Sequence, residues 1–249
     1  QEGVGQGWRM LMNCLSVGRA ISLPATSVCA AKLAARTAGA YSRVRTQFKT
    51  PIGYFEGIEE ALARIGGNTY MMDAARVMTA GSVDLGEKPS VASAIVKYHL
   101  TERGRQAVND AMDIHGGKAI CIGPRNYLGR TYQQIPVSIT VEGANILTRN
   151  MIIFGQGAIR CHPYLLKEVN ATQDKNPDSA SLAFDEALMG HAKFTLRNTA
   201  NSLVYALFGN YIQDNAPENS TPETAVYYRQ LARFSASFAF IADVGLMRL

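Results

Sequence analysis

The chain has 249 residues, of which 47% are hydrophobic and 18% charged, so it carries ample apolar material for a core and is not an intrinsically disordered protein. The formal net charge is +5, but lysine and arginine are scattered without a basic block, which argues against a nucleic-acid partner. No apolar run reaches the roughly 18 residues of a membrane span. The four cysteines form no Cys-x-x-Cys pair, and we expect them to be buried, reduced thiols.

Helical periodicity dominates the first 115 residues. The pattern predicts a long first helix over 8–45, with a kink at Pro24. After a break at Thr50-Pro51-Ile52-Gly53, apolar residues at alternating steps of three and four predict a second helix with one buried face. A third helix, over 91–114, ends at Gly116-Gly117 because glycine often follows the last helical residue. The predicted buried face of the second helix consists of Phe55, Ile58, Leu62, Ile65, Thr69 and Met72.

The remainder of the chain is predicted to be helical around irregular breaks. Residues 121–136 are expected to be irregular, Ile135–Val141 extended, and Ala144–Phe154 helical. The polar segment Asn170–Ser181 is the best candidate for a linker, and two more helices follow it, the second beginning at Thr221-Pro222. We therefore predict an all-α fold, with an antiparallel helical bundle over residues 1–169 and an additional helical region over 170–249 that is truncated at its C-terminus.

The most informative residue is Glu142, which the pattern places between the extended segment and a helix. A helix N-terminus stabilises a carboxylate anion, whereas apolar neighbours favour the protonated acid. A carboxylate held in that balance can act as a general base. The alternative is a helix-capping glutamate at a strand-to-helix turn, and the spacing alone leaves both interpretations open.

Three further features have a ligand-binding and a structural interpretation. Arg45, at the end of the first helix, could bind a phosphate or complement the helix dipole. Gly116-Gly117 could admit a ligand close to the backbone or simply end a helix. Arg19 lies in an otherwise apolar helix, where an arginine commonly extends to the surface. None of the four histidines follows an acidic residue at the three-residue spacing of di-iron bundles, so no metal site is predicted.

Taken in order, five motifs resemble the C-terminal helical domain of the acyl-CoA dehydrogenases. They cover about residues 5 to 160, and their specificity comes from their shared register. The region after residue 170 and the sequence around Glu142 resemble the large bacterial FadE-type members, which carry an extra C-terminal helical region. The motifs are Gly5-Gln6-Gly7-Trp8, Leu15 to Arg19, Arg45-Thr46-Gln47-Phe48-Lys49-Thr50-Pro51-Ile52 with Phe55-Glu56-Gly57-Ile58, Asp113-Ile114-His115-Gly116-Gly117, and Val141-Glu142-Gly143.

The resemblance implies an FAD-dependent oxidoreductase of fatty-acid β-oxidation, which acts on a CH–CH group and converts a fatty acyl-CoA to a trans-2-enoyl-CoA. Glu142 matches the family's base, which removes the α-proton while the β-hydrogen leaves as hydride to flavin N5. Arg19 and Gly143 match positions on the substrate side of the site. The positions that match flavin contacts are Arg45, Gln47, Phe48, Asp113, Gly116, Gly117 and Ala144.

The resemblance also implies partners. In many family members the flavin-contacting groups serve the flavin of the neighbouring subunit, which implies a homodimer, and an electron-transfer flavoprotein is the implied electron acceptor. A bacterial cytoplasmic location, or one peripheral to the inner membrane, follows from the same resemblance. The family's N-terminal helical and middle β-domains have no counterpart in this chain. We therefore expect a fragment with sequence missing at both ends, which by itself binds FAD poorly and is inactive.

Several residues depart from the family pattern. Lys49 and Glu56 stand where glycine and glutamine are common, Asp113 replaces a flavin-contacting glutamine, and Ala144 replaces the usual threonine. These changes leave the base in place but affect individual flavin contacts. Two alternatives therefore stay open: an acyl-CoA oxidase, which would use the same base with oxygen as acceptor, and a non-catalytic helical interaction module.

Overall fold

A computed structural model describes residues 3–209 and 216–247, which are almost entirely helical. They divide into two compact units, Gln1–Gln156 and Gly157–Leu249. The predicted all-α fold class is confirmed, and the sheet within the described ranges is a single two-stranded hairpin. None of the helices described is long and apolar enough to cross a membrane.

The first unit consists of three long helices followed by shorter ones. In chain order its elements are α1 (Gly7–Val44), β1 (Thr46–Gln47), β2 (Thr50–Pro51), a 3₁₀ turn (Ile52–Tyr54), α2 (Glu56–Asp84), α3 (Ser90–His115), α4 (Gly117–Ile120), α5 (Gly129–Thr140), α6 (Asn145–Leu147) and a π-helical segment (Thr148–Gln156).

Helices α1, α2 and α3 form an up-down-up bundle. Helices α2 and α3 run antiparallel, since Arg64 of α2 pairs with Asp110 of α3 while Arg103 donates to Asn68. Helices α1 and α3 run parallel, since Ser27 faces Gly104 and Tyr41 stacks on His115 further along both. Small residues make these close approaches possible, because the buried stripes of both helices are rich in alanine. The fully buried alanines are Ala20, Ala31, Ala34 and Ala38 of α1 and Ala94, Ala107 and Ala111 of α3.

The prediction of an extended segment over 135–141 is wrong. The irregular segment predicted over 121–136 is confirmed up to residue 128 and wrong beyond it, because α5 occupies Gly129–Thr140. The helix is started by Asn126, whose side-chain oxygen accepts from the backbone N–H groups of Leu128 and Gly129 at 3.0 and 2.7 Å. Packing of α5 against α3 and α1 supports the helix although its sequence is rich in β-branched residues.

The second unit contains α7 (Gly157–Cys161), α8 (Leu165–Thr172), α9 (Pro177–Phe208) and α10 (Pro222–Leu246). Both long helices begin with a polar cap followed by proline: Thr221 caps α10, as the sequence predicts, and Asn176 caps α9 within the segment predicted to be a linker. Helices α9 and α10 are antiparallel, since Thr195 bonds Asp243 while Ser202 faces Ser237.

The boundary between the compact units lies at 156/157, whereas the sequence predicts one at 169/170. The proposed linker Asn170–Ser181 contains the end of α8 and the start of α9, with only a short turn between them, and these two helices pack together. The four cysteines are free, as expected, but the prediction that they are buried is wrong, since each is exposed. Small apolar side chains such as Cys161 need not face a core when neighbouring positions of the helix supply the buried face.

Candidate active site

Glu142 lies in a strained turn between α5 and α6. Its φ is +53° and that of Gly143 is +91°, so two consecutive residues occupy the left-handed region. That conformation suits glycine but is unfavourable for a glutamate by roughly 1–2 kcal/mol. A non-glycine residue held in such a conformation by its surroundings is a common feature of functional sites.

The Glu142 carboxylate projects toward the N-terminal half of α1. A Cβ placed on Gly18 would lie 3.1 Å from Glu142 Oε1 and 3.5 Å from Oε2, so the absence of a side chain at position 18 leaves room for the carboxylate. Glu142 Oε2 is buried and has no hydrogen-bond partner among the described residues. A buried carboxylate oxygen without a donor is costly unless another group completes the site.

Arg19, the next residue of α1, is not the surface arginine that a helix of this kind commonly carries. It is only 2% exposed, and within the described ranges its Nε has no hydrogen-bond partner. Burial lowers the pKa of Arg19, and the nearby Glu142 carboxylate opposes that shift. The structure thus brings Arg19 and Glu142 together beside Gly143. The two side chains carry opposite charges, and Arg19 Nε and Glu142 Oε2 both lack a hydrogen-bond partner among the described residues.

Lys97 of α3 is a further residue of this site, and sequence reasoning missed it. It is 0% exposed, and its ammonium donates to the Ile139 and Gly143 carbonyl oxygens at 3.1 and 2.9 Å and to Asn145 Oδ1 at 2.6 Å. Burial, with a smaller contribution from Arg19, lowers the pKa of Lys97 to about 8, while Glu142 and Glu102 oppose the shift. One sequence signal could have revealed it, since Lys97 falls in register with the buried stripe of α3.

The hairpin after α1 carries the first group of predicted flavin contacts. Arg45 and Gln47 are exposed, and Phe48, at 90% exposure, presents almost its whole ring. Phe48 and Lys49 form the two-residue loop with φ of +50° and +64°. The position where the family commonly has glycine is therefore a left-handed one, which explains that preference and makes Lys49 a strained substitution.

The end of α3 carries the second group. Asp113, Gly116 and Gly117 are exposed, and Gly116 has φ of +57° and ψ of −135°, a conformation essentially restricted to glycine. Asp113 and Gly116 line an open depression with Met112, Ile120 and Tyr132. This depression lies at the same end of the bundle as the hairpin, because Tyr41 of α1 stacks on His115 with ring centroids 4.3 Å apart.

The predicted site residues therefore form two clusters. Arg19, Glu142, Gly143 and Ala144 lie at one end of the bundle, whereas the hairpin and the end of α3 lie at the other. At about 1.5 Å per residue, Arg19 and Arg45 are separated by roughly 39 Å along α1. This distance is too large for both clusters of one chain to line a single ligand pocket.

A polar cluster that spacing did not predict lies in the second unit. His162, His191 and Asp243 present ligand atoms within 4.8 Å of one another, the donor set of a metal site. However, His162 Nδ1 accepts from the backbone N–H groups of Tyr164 and Leu165 at 3.2 and 3.1 Å. A neutral His162 must then carry its proton on Nε2, which faces Asp243 Oδ1 at 3.1 Å. A ring nitrogen that carries a proton has no lone pair free for a metal, so these contacts do not suit His162 as a metal ligand.

The fold and the first cluster together define an all-α domain that holds a carboxylate in a strained turn beside a buried arginine. The sequence model described as "Acyl-CoA dehydrogenase, C-terminal domain" matches residues 5–155, and that described as "Acyl-CoA dehydrogenase, C-terminal, bacterial type" matches residues 159–249. The chain belongs to the acyl-CoA dehydrogenase family.

Individual relatives agree with this assignment. A 3-(aryl)acrylate reductase from Clostridium sporogenes is 31% identical over 153 residues, which are 60% of this chain and 39% of that protein. A probable acyl-CoA dehydrogenase from Bacillus subtilis is 23% identical over 219 residues, 76% of this chain and 36% of that protein. The structure of butyryl-CoA dehydrogenase from Megasphaera elsdenii matches with a TM-score of 0.55 at 25% identity, covering 63% of this chain and 39% of its own. The chain thus spans well under half the length of these relatives.

Proposed function

We propose that the complete protein catalyses FAD-dependent α,β-dehydrogenation of a fatty acyl-CoA to a trans-2-enoyl-CoA, with Glu142 as the base that takes the α-proton. The observation that carries this proposal is the Glu142 carboxylate itself, held in a left-handed turn with a buried, unpartnered Oε2 beside Gly18 and Arg19. An oxygen in that state is free to accept a proton from a bound substrate.

The residues of this chain fit a flavin and a thioester substrate. Arg19 Nε is a buried donor without a partner in the part of the chain described, and it stabilises negative charge close to the base. The other end of the bundle offers three kinds of contact. The exposed Phe48 ring offers an aromatic surface, and Arg45 and Gln47 offer contacts for a phosphate. Gly116 has no Cβ and so lets a ligand approach the backbone closely. FAD bound there would supply an acceptor for the β-hydrogen as hydride, and Glu142 would hold the α-proton as the C=C bond forms.

The proposed active unit is a homodimer of the complete protein. The two clusters of predicted site residues lie roughly 39 Å apart along α1. Such an arrangement suits a homodimer in which the Glu142 cluster serves one flavin and the Phe48 hairpin serves the flavin of the neighbouring subunit. An electron-transfer flavoprotein is the proposed acceptor. Because the chain covers under half of its relatives, we expect the 249 residues alone to bind FAD poorly and to be inactive.

The test is Glu142→Gln in the full-length protein, with the exposed Glu59→Gln of α2 as the matched control. The variant keeps the size of the side chain but removes its basicity, so we expect it to retain flavin absorbance and to lose at least about 10²-fold in acyl-CoA-dependent dye reduction. Anaerobic bleaching of the flavin by acyl-CoA should be lost in parallel. Turnover of Glu142→Gln at the rate of Glu59→Gln would refute the assignment of the base.

The reverse reaction is a specific second candidate, because the Clostridium sporogenes relative is named a 3-(aryl)acrylate reductase. A carboxylate that accepts the α-proton in one direction returns it in the other, so the same geometry serves both reactions. Assays of acyl-CoA oxidation and of arylacrylate reduction, each with Glu142→Gln alongside, distinguish the two. Peroxide formation without any acceptor protein would indicate an oxidase.

A further inference from the structure

The Glu142 turn has no repeating secondary structure to hold it. It follows the last residue of α5, Thr140, and precedes α6, which begins at Asn145. Two successive left-handed residues, Glu142 and Gly143, are unfavourable in an unsupported chain. The position of the carboxylate therefore depends on whatever fixes the main chain on both sides of it.

One ammonium group makes that connection. Lys97 Nζ binds Ile139 O at 3.1 Å before the turn, Gly143 O at 2.9 Å within it, and Asn145 Oδ1 at 2.6 Å after it. These three acceptors match the three N–H donors of an ammonium ion. The side chain is completely buried, and no carboxylate in the described ranges lies within ion-pair distance of it.

A second set of contacts fixes the far side of the turn to the same helix. The Asn145 amide donates to Thr101 Oγ1 and Glu102 Oε1, both at 2.9 Å, one turn along α3 from Lys97. Thr148 Oγ1 adds a second donor to Gly143 O at 3.0 Å. A buried ammonium is expensive to desolvate and is retained where its hydrogen bonds fix a particular geometry.

We infer that Lys97 is the positioning residue of the catalytic turn: by holding Ile139, Gly143 and Asn145 together, it fixes the Glu142 carboxylate against Gly18 and Arg19. It does not touch the reacting atoms. This inference rests on the proposed function for its kinetic consequence, but the structural part, a turn fixed by Lys97, stands independently of the reaction.

The experiment uses the full-length protein and Lys97→Met, which has a similar length but no hydrogen-bond donor. Lys32→Met on α1, which removes an exposed ion pair with Asp73 of α2, is the matched control. We expect Lys97→Met to keep its flavin and to lose tenfold or more in kcat with KM nearly unchanged, since a displacement of about 1 Å of a catalytic group costs about 10²-fold. Peptides covering 139–148 should exchange amide hydrogen faster in Lys97→Met only.

The pH profile separates positioning from mere stabilisation. Arg19 of α1, Glu102 of α3 and Glu142 of the turn are the charged groups that face Lys97, whose pKa is about 8. The wild-type kcat should therefore fall as the pH rises through about 8, because a neutral amine has two protons for three acceptors, and Lys97→Met should lack that limb. If Lys97→Met does not fold, Thr148→Val is the second variant. This nearly isosteric change is milder, because it removes only the Thr148 hydroxyl that donates to Gly143 O.

The outcomes decide between two distinct failures. Wild-type kcat per bound flavin in Lys97→Met, or unchanged exchange over 139–148, overturns the role of Lys97. Loss of flavin and activity in equal proportion, with the limb near pH 8 retained, also overturns it. If the wild-type protein oxidises no acyl-CoA and reduces no arylacrylate, the proposed function fails, while the exchange measurement still decides whether Lys97 holds the turn.

Discussion

Gly18→Ala should separate fold stability from activity. Gly18 lies inside α1, where alanine is favoured over glycine by about 1 kcal/mol. The added Cβ would lie 3.1 Å from Glu142 Oε1 and 3.6 Å from Cδ, a few tenths of an ångström closer than ordinary contacts. The carboxylate must therefore shift. If about 1 Å costs 10²-fold, a shift of roughly 0.3–0.5 Å costs about three- to tenfold in kcat.

Gly39→Ala is a matched control on the same helix. A Cβ at Gly39 would meet nothing within 4 Å, so this change brings the helical benefit without disturbing the carboxylate. Both variants of the full-length protein should melt at or above the wild-type temperature, and only Gly18→Ala should lose turnover. Equal kcat values for the two variants would refute the placement of Glu142 against α1, and a lower melting temperature for Gly18→Ala alone would show that the fold, not the carboxylate, absorbs the clash.

Two further predictions concern strain and burial away from the base. Lys49→Gly should stabilise the first unit by about 0.5–1 kcal/mol in urea denaturation, because φ at this position is +64°; an unchanged midpoint would contradict the assigned strain. Burial, with a smaller contribution from His191, lowers the pKa of His162 from 6.5, so the native state resists its protonation. The stability that His162 contributes is complete above pH 6.5 and is lost as the pH falls through the lowered pKa. Hydrogen exchange in α9 and α10 of the full-length protein should accelerate on acidification and do so less in His162→Gln; equal acceleration in both would exclude His162 as the cause.

Local sequence signals predict the long helices well. The 3–4 spacing of Ile65 and Met72, both 0% exposed, identifies the buried face of α2. The same reasoning failed over 135–140, where β-branched residues suggested an extended chain but the second half of α5 forms. The start of α5 depends on the side chain of Asn126, nine residues before Ile135. Its continuation depends on contacts with α3 that no local pattern records.

The candidate site shows the same division. Glu142 could be singled out because a glutamate–glycine pair at a break in periodicity has few interpretations. The register of Lys97 on the buried stripe of α3 marks the residue, but its role could not be predicted, since its partners lie more than 40 residues away. Ile139 and Gly143 contribute main-chain oxygens, and Asn145 contributes a side-chain amide oxygen. The proximity of His162 and Asp243 likewise arises only from the packing of helices that are distant in the chain.

The separation of the two clusters along α1 has a genetic consequence. If each flavin is completed by two chains, every polypeptide contributes half of two sites, and a lesion at Glu142 affects a different site from a lesion at Phe48 of the same chain. A mixed dimer of two inactive variants, one altered at each position, would contain one site with both lesions and one with neither. Two defective alleles of this gene could then complement each other, to about half of normal activity in the mixed dimer.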